Sequence, residues 1–416
     1  MMRSQLFTNF IFSIIKASLL LVSVSIAEQL LPAVFLGGLL LFRRQGALAS
    51  NLLQLGSSQN IQRFCVNKGH ITALESYGES FKIAAVCVIL TLLTGLLFGD
   101  SLISFILGDA FQGQANWFFL YVAALIIGYV TVSTWQSQFH FFAANISEII
   151  SGSVVFILVV TFWQVHDLKS LTQGFSLITF ISSVLLFGLL MISRFKGNIK
   201  KLSLLIITSR FNLTQFRFGI LRSTSAFLDV CLFSIGPWII RDNLAEAGYL
   251  ILALIFLRFV QTLVTPLSQV MSLRLLVASE NKVAEERLLL SLLMSTLTIG
   301  FISSLFYPWV GEALVSIWLP SSYLSVDHYI SSFIVFVPGI AGFYLLRNYV
   351  DLNFHSAINL YFLLGCLVLF VSVFFCYRLL FNSDPIATVI LSMQVMFSSF
   401  YIYILIMVKH LLKKEV

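Results

Sequence analysis

Long apolar stretches separated by short polar segments recur along all 416 residues of the chain. Each stretch is about 20 residues long, which is the length that carries an α-helix across the hydrocarbon of a bilayer. Strands of a membrane barrel would instead alternate polar and apolar residues over about ten positions, whereas these stretches are apolar all round. Lipid satisfies no backbone N–H or C=O group, so only helices and closed barrels cross it. The pattern therefore predicts an all-α polytopic membrane protein.

The apolar stretches predict about twelve transmembrane helices in two sets of six. The predicted spans are 6–27, 33–54, 80–98, 116–138, 143–163, 171–193, 219–240, 247–271, 287–308, 329–348, 356–379 and 386–408. The longest internal connection, 193–219, is basic and separates the sixth span from the seventh. We therefore expect an amino-terminal six-helix lobe over 1–205 and a carboxy-terminal six-helix lobe over 206–416.

The composition agrees with a membrane interior and excludes several other classes. Hydrophobic residues make up 59% of the chain and charged residues only 10%, against about 25% charged residues in soluble domains. The net charge of +7 could suggest nucleic-acid binding, but the pattern predicts no soluble basic domain. We therefore expect no nucleic-acid partner. The five cysteines form no CxxC pair and have no histidine at metal-ligand spacing. Neither a disulfide, a metal site nor a cofactor is predicted.

Basic residues concentrate on one predicted side of the membrane. That side holds Arg3, Arg63, Lys68, Lys82, Arg194, Lys196, Lys200, Lys201, Arg210, Arg217, Arg274, Lys282, Arg287, Arg347, Lys409, Lys413 and Lys414. The other side holds Lys169, Arg241 and Arg378. The positive-inside rule then predicts that both termini are cytoplasmic. Four tryptophans at predicted outer helix ends agree with an aromatic belt: Trp117, Trp163, Trp238 and Trp309.

Five charged residues lie near the middle of predicted spans, where an ionised side chain costs about 2.5–3.5 kcal/mol. They are Lys16 in span 1, Arg43 and Arg44 in span 2, Asp229 in span 7 and Arg258 in span 8. Arg222 precedes Asp229 by seven residues and shares its helix face. Glu148 lies near the inner end of span 5. Asp229, the one midspan acid, could have a purely structural role by neutralising Arg222 or Lys16. It cannot neutralise all four midspan cations. The surplus predicts an anionic ligand or abundant water.

The spacing of these charges indicates two matching halves. Lys16 and Asp229 are 213 positions apart on spans 1 and 7. Arg44 and Arg258 are 214 positions apart on spans 2 and 8. Charges at matching depths on matching helices are typical of a duplicated transporter.

Two segments resemble a known family. The segment 36–64, LGGLLLFRRQGALASNLLQLGSSQNIQRF, resembles the second span of Wzx-type polysaccharide flippases, with the Arg of an aromatic-Arg-Gln element at Arg43 or Arg44. The segment 248–276, GYLILALIFLRFVQTLVTPLSQVMSLRLL, is similar to the eighth span of that group and includes Pro266 before the inner loop. With the 6+6 layout, the resemblance covers most of the chain and extends to the multidrug/oligosaccharidyl-lipid/polysaccharide exporter superfamily.

The resemblance implies a V-shaped pair of six-helix lobes around a cationic central cavity, in the bacterial inner membrane. The implied cargo is an undecaprenyl-diphosphate-linked oligosaccharide, an O-antigen-like unit for lipopolysaccharide, flipped from the cytoplasmic to the periplasmic leaflet. An O-antigen polymerase and a chain-length regulator are candidate partners beside the lipid bilayer. The candidate substrate-binding residues are Lys16, Arg43, Arg44, Arg222 and Arg258. The candidates for ion coupling are Asp229 and Glu148.

Two other functions remain open from the sequence. A membrane sugar polymerase or ligase would be an enzyme, and such enzymes need a sizeable outer loop for catalytic residues. The longest predicted outer segments, 99–115 and 309–328, are short for that purpose. A cation-coupled drug antiporter would share the fold but needs an acidic cavity, whereas the midspan charges are net positive. We therefore expect a transporter and not an enzyme.

Overall fold

The computed structural model describes residues 2–65, 70–163, 167–208, 212–277, 282–319, 325–353, 358–381 and 383–413. Every regular element in these ranges is helical. Three of the predicted cytoplasmic cations, Lys68, Arg210 and Lys414, lie outside the described residues.

Sixteen α-helices follow one another in the part of the chain that the structure describes. They are α1 (Met2–Leu30), α2 (Ala33–Leu53), α3 (Ser57–Phe64), α4 (His70–Leu107), α5 (Ala115–Ser137), α6 (Phe141–Ile149), α7 (Val155–Phe162), α8 (Leu168–Phe195), α9 (Ile199–Thr208), α10 (Leu213–Ile239), α11 (Leu244–Val277), α12 (Lys282–Trp318), α13 (Ser325–Phe333), α14 (Val337–Asn353), α15 (Ile358–Phe381) and α16 (Pro385–Lys413). Short 3-10 turns occupy Asp109–Phe111 and Ile334–Phe336, and a π-helical turn, Ile150–Val154, joins α6 to α7.

The prediction of an all-α polytopic membrane protein with about twelve spans is confirmed. Within the described ranges, eleven helical segments are long and apolar enough to cross a membrane. Each corresponds to one predicted span, and the remaining predicted span is α2. This helix has 21 residues, enough to cross the hydrocarbon, but Arg43, Arg44 and Gln45 interrupt its apolar sequence.

The chain divides into two compact units. The amino-terminal unit comprises Val22–Ser234, and the carboxy-terminal unit comprises Met1–Leu21 together with Ile235–Val416. The core of the first contains Phe42, whose ring lies 5.4 Å from that of Phe118. The core of the second contains Phe343, whose ring lies 5.0 Å from that of Phe400. The lobe boundary at residues 205 and 206 remains a prediction.

Helix α4 begins ten residues before the predicted start of the third span. Its first turns carry polar residues, which the hydropathy pattern excludes from a span, but these turns pack inside the amino-terminal unit. The Tyr77 ring lies 5.4 Å from that of Phe195, and its hydroxyl lies 2.8 Å from the Ser137 hydroxyl. The Glu79 carboxylate accepts a hydrogen bond from the Asn212 backbone N–H at 2.8 Å. Tertiary packing therefore extends the helix beyond its apolar stretch.

Helix α10, as far as Ser234, runs antiparallel to α2 within the amino-terminal unit. Arg44 on α2 contacts Ser234, and further along α2 the carbonyl of Asn51 accepts a hydrogen bond from Ser223. Beyond the end of α2, Gly56 adopts a left-handed conformation with φ of 77° beside the backbone of Gly219. A Cβ atom at Gly56 would overlap that backbone. The chain just beyond α2 therefore approaches α10 closely at Gly219, and Arg44 and Asn51 of α2 are hydrogen-bonded to α10.

Candidate substrate site

Arg44 is the most buried of the predicted substrate-binding cations, with 9% of its surface exposed. Its Nε donates a hydrogen bond to the Ser234 hydroxyl at 3.1 Å. That hydroxyl itself donates to the carbonyl of Val230 at 2.7 Å, which fixes its orientation. The guanidinium carbon also lies 5.8 Å from the centre of the Phe233 ring. Helix α10 therefore holds Arg44 through one hydroxyl and one aromatic ring.

Arg43 points into a different environment. Its guanidinium carbon lies 4.5 Å from the centre of the Phe156 ring and 5.6 Å from that of Phe175. Its terminal nitrogen is 3.5 Å from the carbonyl oxygen of Gly152 in the π-helical turn. A cation over aromatic faces in a desolvated site gains about 2 kcal/mol or more. Arg43 therefore binds the interior of the amino-terminal unit, where it joins α2 to the segment between α6 and α7.

Helix α10 carries the predicted Arg222 and Asp229. Arg222 is half-buried, and its guanidinium carbon lies 5.4 Å from the centre of the Phe218 ring. Asp229 is buried, as is Ser225 between them on the same face. A positive and a negative residue therefore occupy successive levels of one helix face, with a hydroxyl between them.

Glu148 lies two residues before the π-helical turn and is half-buried. The backbone around it is lined by hydroxyl groups. Ser151 donates to the carbonyl of Ser147 at 2.9 Å, and Ser147 donates to that of Ala143 at 2.8 Å. A π-helical turn widens the helix by one residue and is frequent at functional sites. Sequence reasoning missed this turn because hydropathy has no signal for it.

The carboxy-terminal unit contains the remaining two candidates, Arg258 and Lys16. Arg258 is half-buried on α11, and its Nε donates to the Gln261 side-chain oxygen at 2.7 Å. Lys16 is half-buried on α1. Five residues later, the carbonyl of Leu21 accepts a hydrogen bond from the Trp318 indole at 2.8 Å, which joins α1 to the end of α12.

Glu28 is a buried acid that the sequence analysis did not single out. The first predicted span, 6–27, ends just before Glu28, but Glu28 lies within α1 and is only 6% exposed. Neither of its carboxylate oxygens has a hydrogen-bond partner among the described residues. A buried carboxylate without such partners is costly and is therefore a candidate for a functional role. The burial of Glu28 could not be predicted from the sequence, because a charged residue at the end of an apolar stretch normally marks the beginning of a loop.

The chain matches no protein-family model and no curated protein. It does match solved structures of MATE transporters. The MATE multidrug transporter DinF-BH shares 15% identity, covers 98% of this chain and 95% of its own, and has a TM-score of 0.69. An inward-facing MATE family transporter of the MOP superfamily shares 14% identity over 96% of each chain, with a TM-score of 0.63. A variant of the Vibrio cholerae MATE transporter VcmN shares 13% identity over 98% of this chain and 97% of its own, with a TM-score of 0.59. The chain therefore has the MATE fold.

Proposed function

We propose that the chain is a flippase that moves an undecaprenyl-diphosphate-linked oligosaccharide from the cytoplasmic to the periplasmic leaflet of the bacterial inner membrane. The observation that carries this proposal is Arg44, a cation that is almost fully buried in the middle of a predicted span. Placing such a charged side chain at the centre of the bilayer costs about 2.5–3.5 kcal/mol on insertion scales. Charged residues at this depth typically belong to functional sites. We propose that the diphosphate headgroup is a ligand of this cation.

Arg44 and Arg258 are held in the same manner. Each donates from Nε to a polar side chain, Ser234 in one unit and Gln261 in the other. An arginine anchored at Nε is oriented for an end-on approach of phosphate oxygens to its two terminal nitrogens. We propose that Arg44 binds the diphosphate in this geometry and that Arg222, in the same unit, adds positive charge. Arg258 and Lys16 stay predicted substrate-binding residues of the carboxy-terminal unit. Arg43 would support α2 through its aromatic contacts.

The membrane potential would drive the transport. A diphosphate carries about two negative charges, and with the inside negative its outward movement gains roughly 2.3 kcal/mol per charge per 100 mV. The sequence contains no GxxxxGK[ST] loop for nucleotide binding. Alternating access in this fold would expose the headgroup first inside and then outside while the polyprenyl tail stays in lipid. Asp229, Glu148 and Glu28 are the carboxyl groups proposed to bind a returning ion.

A cation-coupled drug antiporter is the second candidate. Two of the structures described above are named as multidrug transporters, and the buried acids Glu28 and Asp229 would suit a cationic cargo. The flippase remains the better proposal, because the cations near the middle of the predicted spans outnumber the acids there.

Reconstitution of the purified chain separates the two functions. Proteoliposomes would receive a fluorescent undecaprenyl-diphosphate oligosaccharide in one arm and a cationic dye in the other. We expect flipping of the glycolipid that increases with an inside-negative potential and no dye exchange. Potential-independent dye exchange without glycolipid flipping would overturn the proposal in favour of the antiporter.

Substitutions connect this activity to the proposed residues. Arg44→Ala and Arg258→Ala should each reduce flipping at least tenfold, since each removes about 1.5–3 kcal/mol of charged hydrogen bonding. The double Arg43/Arg44 replacement tests whether one arginine substitutes for its neighbour. Arg217→Ala is the matched control, because Arg217 is exposed on α10. Full activity of both single variants and of the double variant would refute the cationic site.

A further inference from the structure

Helix α9 is the short helix between α8 and α10, and one of its faces is docked on α4. Leu202 is fully buried. Leu205 packs closely against Gly78 of α4. A Cβ atom added to Gly78 would lie 2.9 Å from the Cβ of Leu205. The Lys82 ammonium donates to the carbonyl of Ile207 at 3.1 Å, near the end of α9. The helix is therefore fixed against the amino-terminal unit with a defined orientation.

The opposite face of α9 combines charged and large apolar side chains. Lys200, Leu204 and Ile207 follow the i, i+4, i+7 spacing of one helical stripe. Leu204 is 60% exposed and Ile207 is 75% exposed. Lys201 is exposed beside this stripe. One face of α9 is docked on the protein, and the other exposes large apolar side chains with lysines at one end. In a membrane interface, the lysines would meet the headgroups and the apolar side chains would meet the acyl boundary.

The charges that flank α9 in the sequence have one sign. Arg194 and Lys196, which precede the helix, are exposed. From residue 168 to residue 228 the sequence contains no Asp or Glu. Lys200 and Lys201 lie in the first turn of α9, where the helix dipole disfavours cations. The dipole of α9 therefore does not stabilise these lysines. An anion outside the protein would stabilise them.

We infer that α9 binds anionic phospholipid at the bilayer surface. Lys200 and Lys201 contact the phosphate-bearing headgroups, with Lys196 nearby, and Leu204 and Ile207 enter the acyl region. A free phosphate ion would meet the lysines but would give the two exposed apolar side chains no contact, so the occupant is a lipid. The surface helix would thereby anchor the connection between α8 and α10 to the membrane.

Lipid titration of the purified full-length protein in detergent tests this inference. Binding of phosphatidylglycerol, phosphatidylcholine and inorganic phosphate would be followed by native mass spectrometry. We expect saturable binding of phosphatidylglycerol that exceeds phosphatidylcholine and is not displaced by inorganic phosphate. The double variant K200Q/K201Q should bind phosphatidylglycerol roughly twenty-fivefold more weakly, because each lysine near an anionic surface contributes about fivefold.

Two further variants make the outcome decisive. Leu204→Ser with Ile207→Ser should weaken phosphatidylglycerol binding while inorganic phosphate has no effect. Lys282→Gln with Arg287→Gln removes two exposed cations elsewhere and should leave binding unchanged. The inference is overturned if K200Q/K201Q binds as the parent does, if phosphatidylcholine binds equally well, or if inorganic phosphate displaces the lipid. All substituted side chains on α9 are exposed, so the melting temperature should not change.

Discussion

The guanidinium of Arg43 lies 4.5 Å from the centre of the Phe156 ring, whereas the adjacent Arg44 donates a hydrogen bond to Ser234 on α10. Successive residues of an α-helix point roughly 100° apart, so the two arginines of α2 contact different helices. Arg43 contacts the aromatic interior and the π-helical turn. Arg44 contacts the helix that carries Asp229. We expect the two positions to respond differently to substitution.

Arg43→Ala should lower the stability of the protein more than Arg44→Ala does. The Arg43 variant loses contact with two aromatic rings and with the Gly152 carbonyl, a loss of about 2 kcal/mol or more. Thermal unfolding of the purified variants in detergent measures the difference. Arg217→Ala, an exposed control, should unfold within about 0.5 kcal/mol of the parent. Equal melting of Arg43→Ala and the parent would contradict a structural role for Arg43.

Ser234→Ala should weaken the binding of the lipid-linked diphosphate without unfolding the protein. The hydroxyl orients Arg44 through one hydrogen bond, and such a bond contributes about 0.5–1.5 kcal/mol, or at most about tenfold in affinity. Ser234→Thr keeps the hydroxyl and should bind as the parent does. Titration of the diphosphate lipid against both variants measures the effect. If the Thr variant loses as much affinity as the Ala variant, the hydroxyl does not position Arg44.

Gly56→Ala should be severely destabilising, by about 4 kcal/mol or more. The added Cβ would overlap the backbone of Gly219, which has no flexible side chain to move away, and Gly56 has a positive φ that alanine adopts with strain. Gly188→Ala in α8 is the matched control, because a Cβ there meets nothing within 4 Å. That control should stabilise the protein by roughly 0.4–1 kcal/mol. Thermal unfolding and the yield of folded protein measure both. Normal folding of Gly56→Ala would exclude the close approach of α10 to the end of α2.

The positions of the helices along the chain could be predicted from the sequence, whereas the direction of a residue around its helix axis could not. The bilayer dictates the length of each apolar stretch, so eleven of the predicted spans correspond to helices that are long and apolar enough to cross it. The directions of Arg43 and Arg44 depend on which helices pack beside α2. That packing involves Ser234, which is 190 positions from Arg44 along the chain. No local pattern encodes such a contact.

Helix ends show the same division between local and tertiary causes. The polar turns at the start of α4 remain helical because Tyr77 and Glu79 have partners on α5 and beside α10. Glu28 is buried although it follows the predicted apolar stretch, because α1 continues to Leu30 within the amino-terminal unit. In both places hydropathy predicts a loop, since it registers the cost of a polar side chain but not the packing that accepts it.

Glu28→Gln should raise the stability of the protein at neutral pH. Burying a carboxylate without hydrogen-bond partners costs several kcal/mol, and the described residues supply no such partner to either oxygen. Glutamine has nearly the same shape and no charge, so the substitution removes the cost without leaving a cavity. Thermal unfolding should therefore occur at a higher temperature than in the parent, and the difference should shrink in acid, where a protonated carboxyl is neutral too. Glu75→Gln, an exposed control on α4, should change nothing. A lower melting temperature for Glu28→Gln would mean that the charge is compensated in the folded protein, and the burial argument for a functional carboxyl on α1 would then fail.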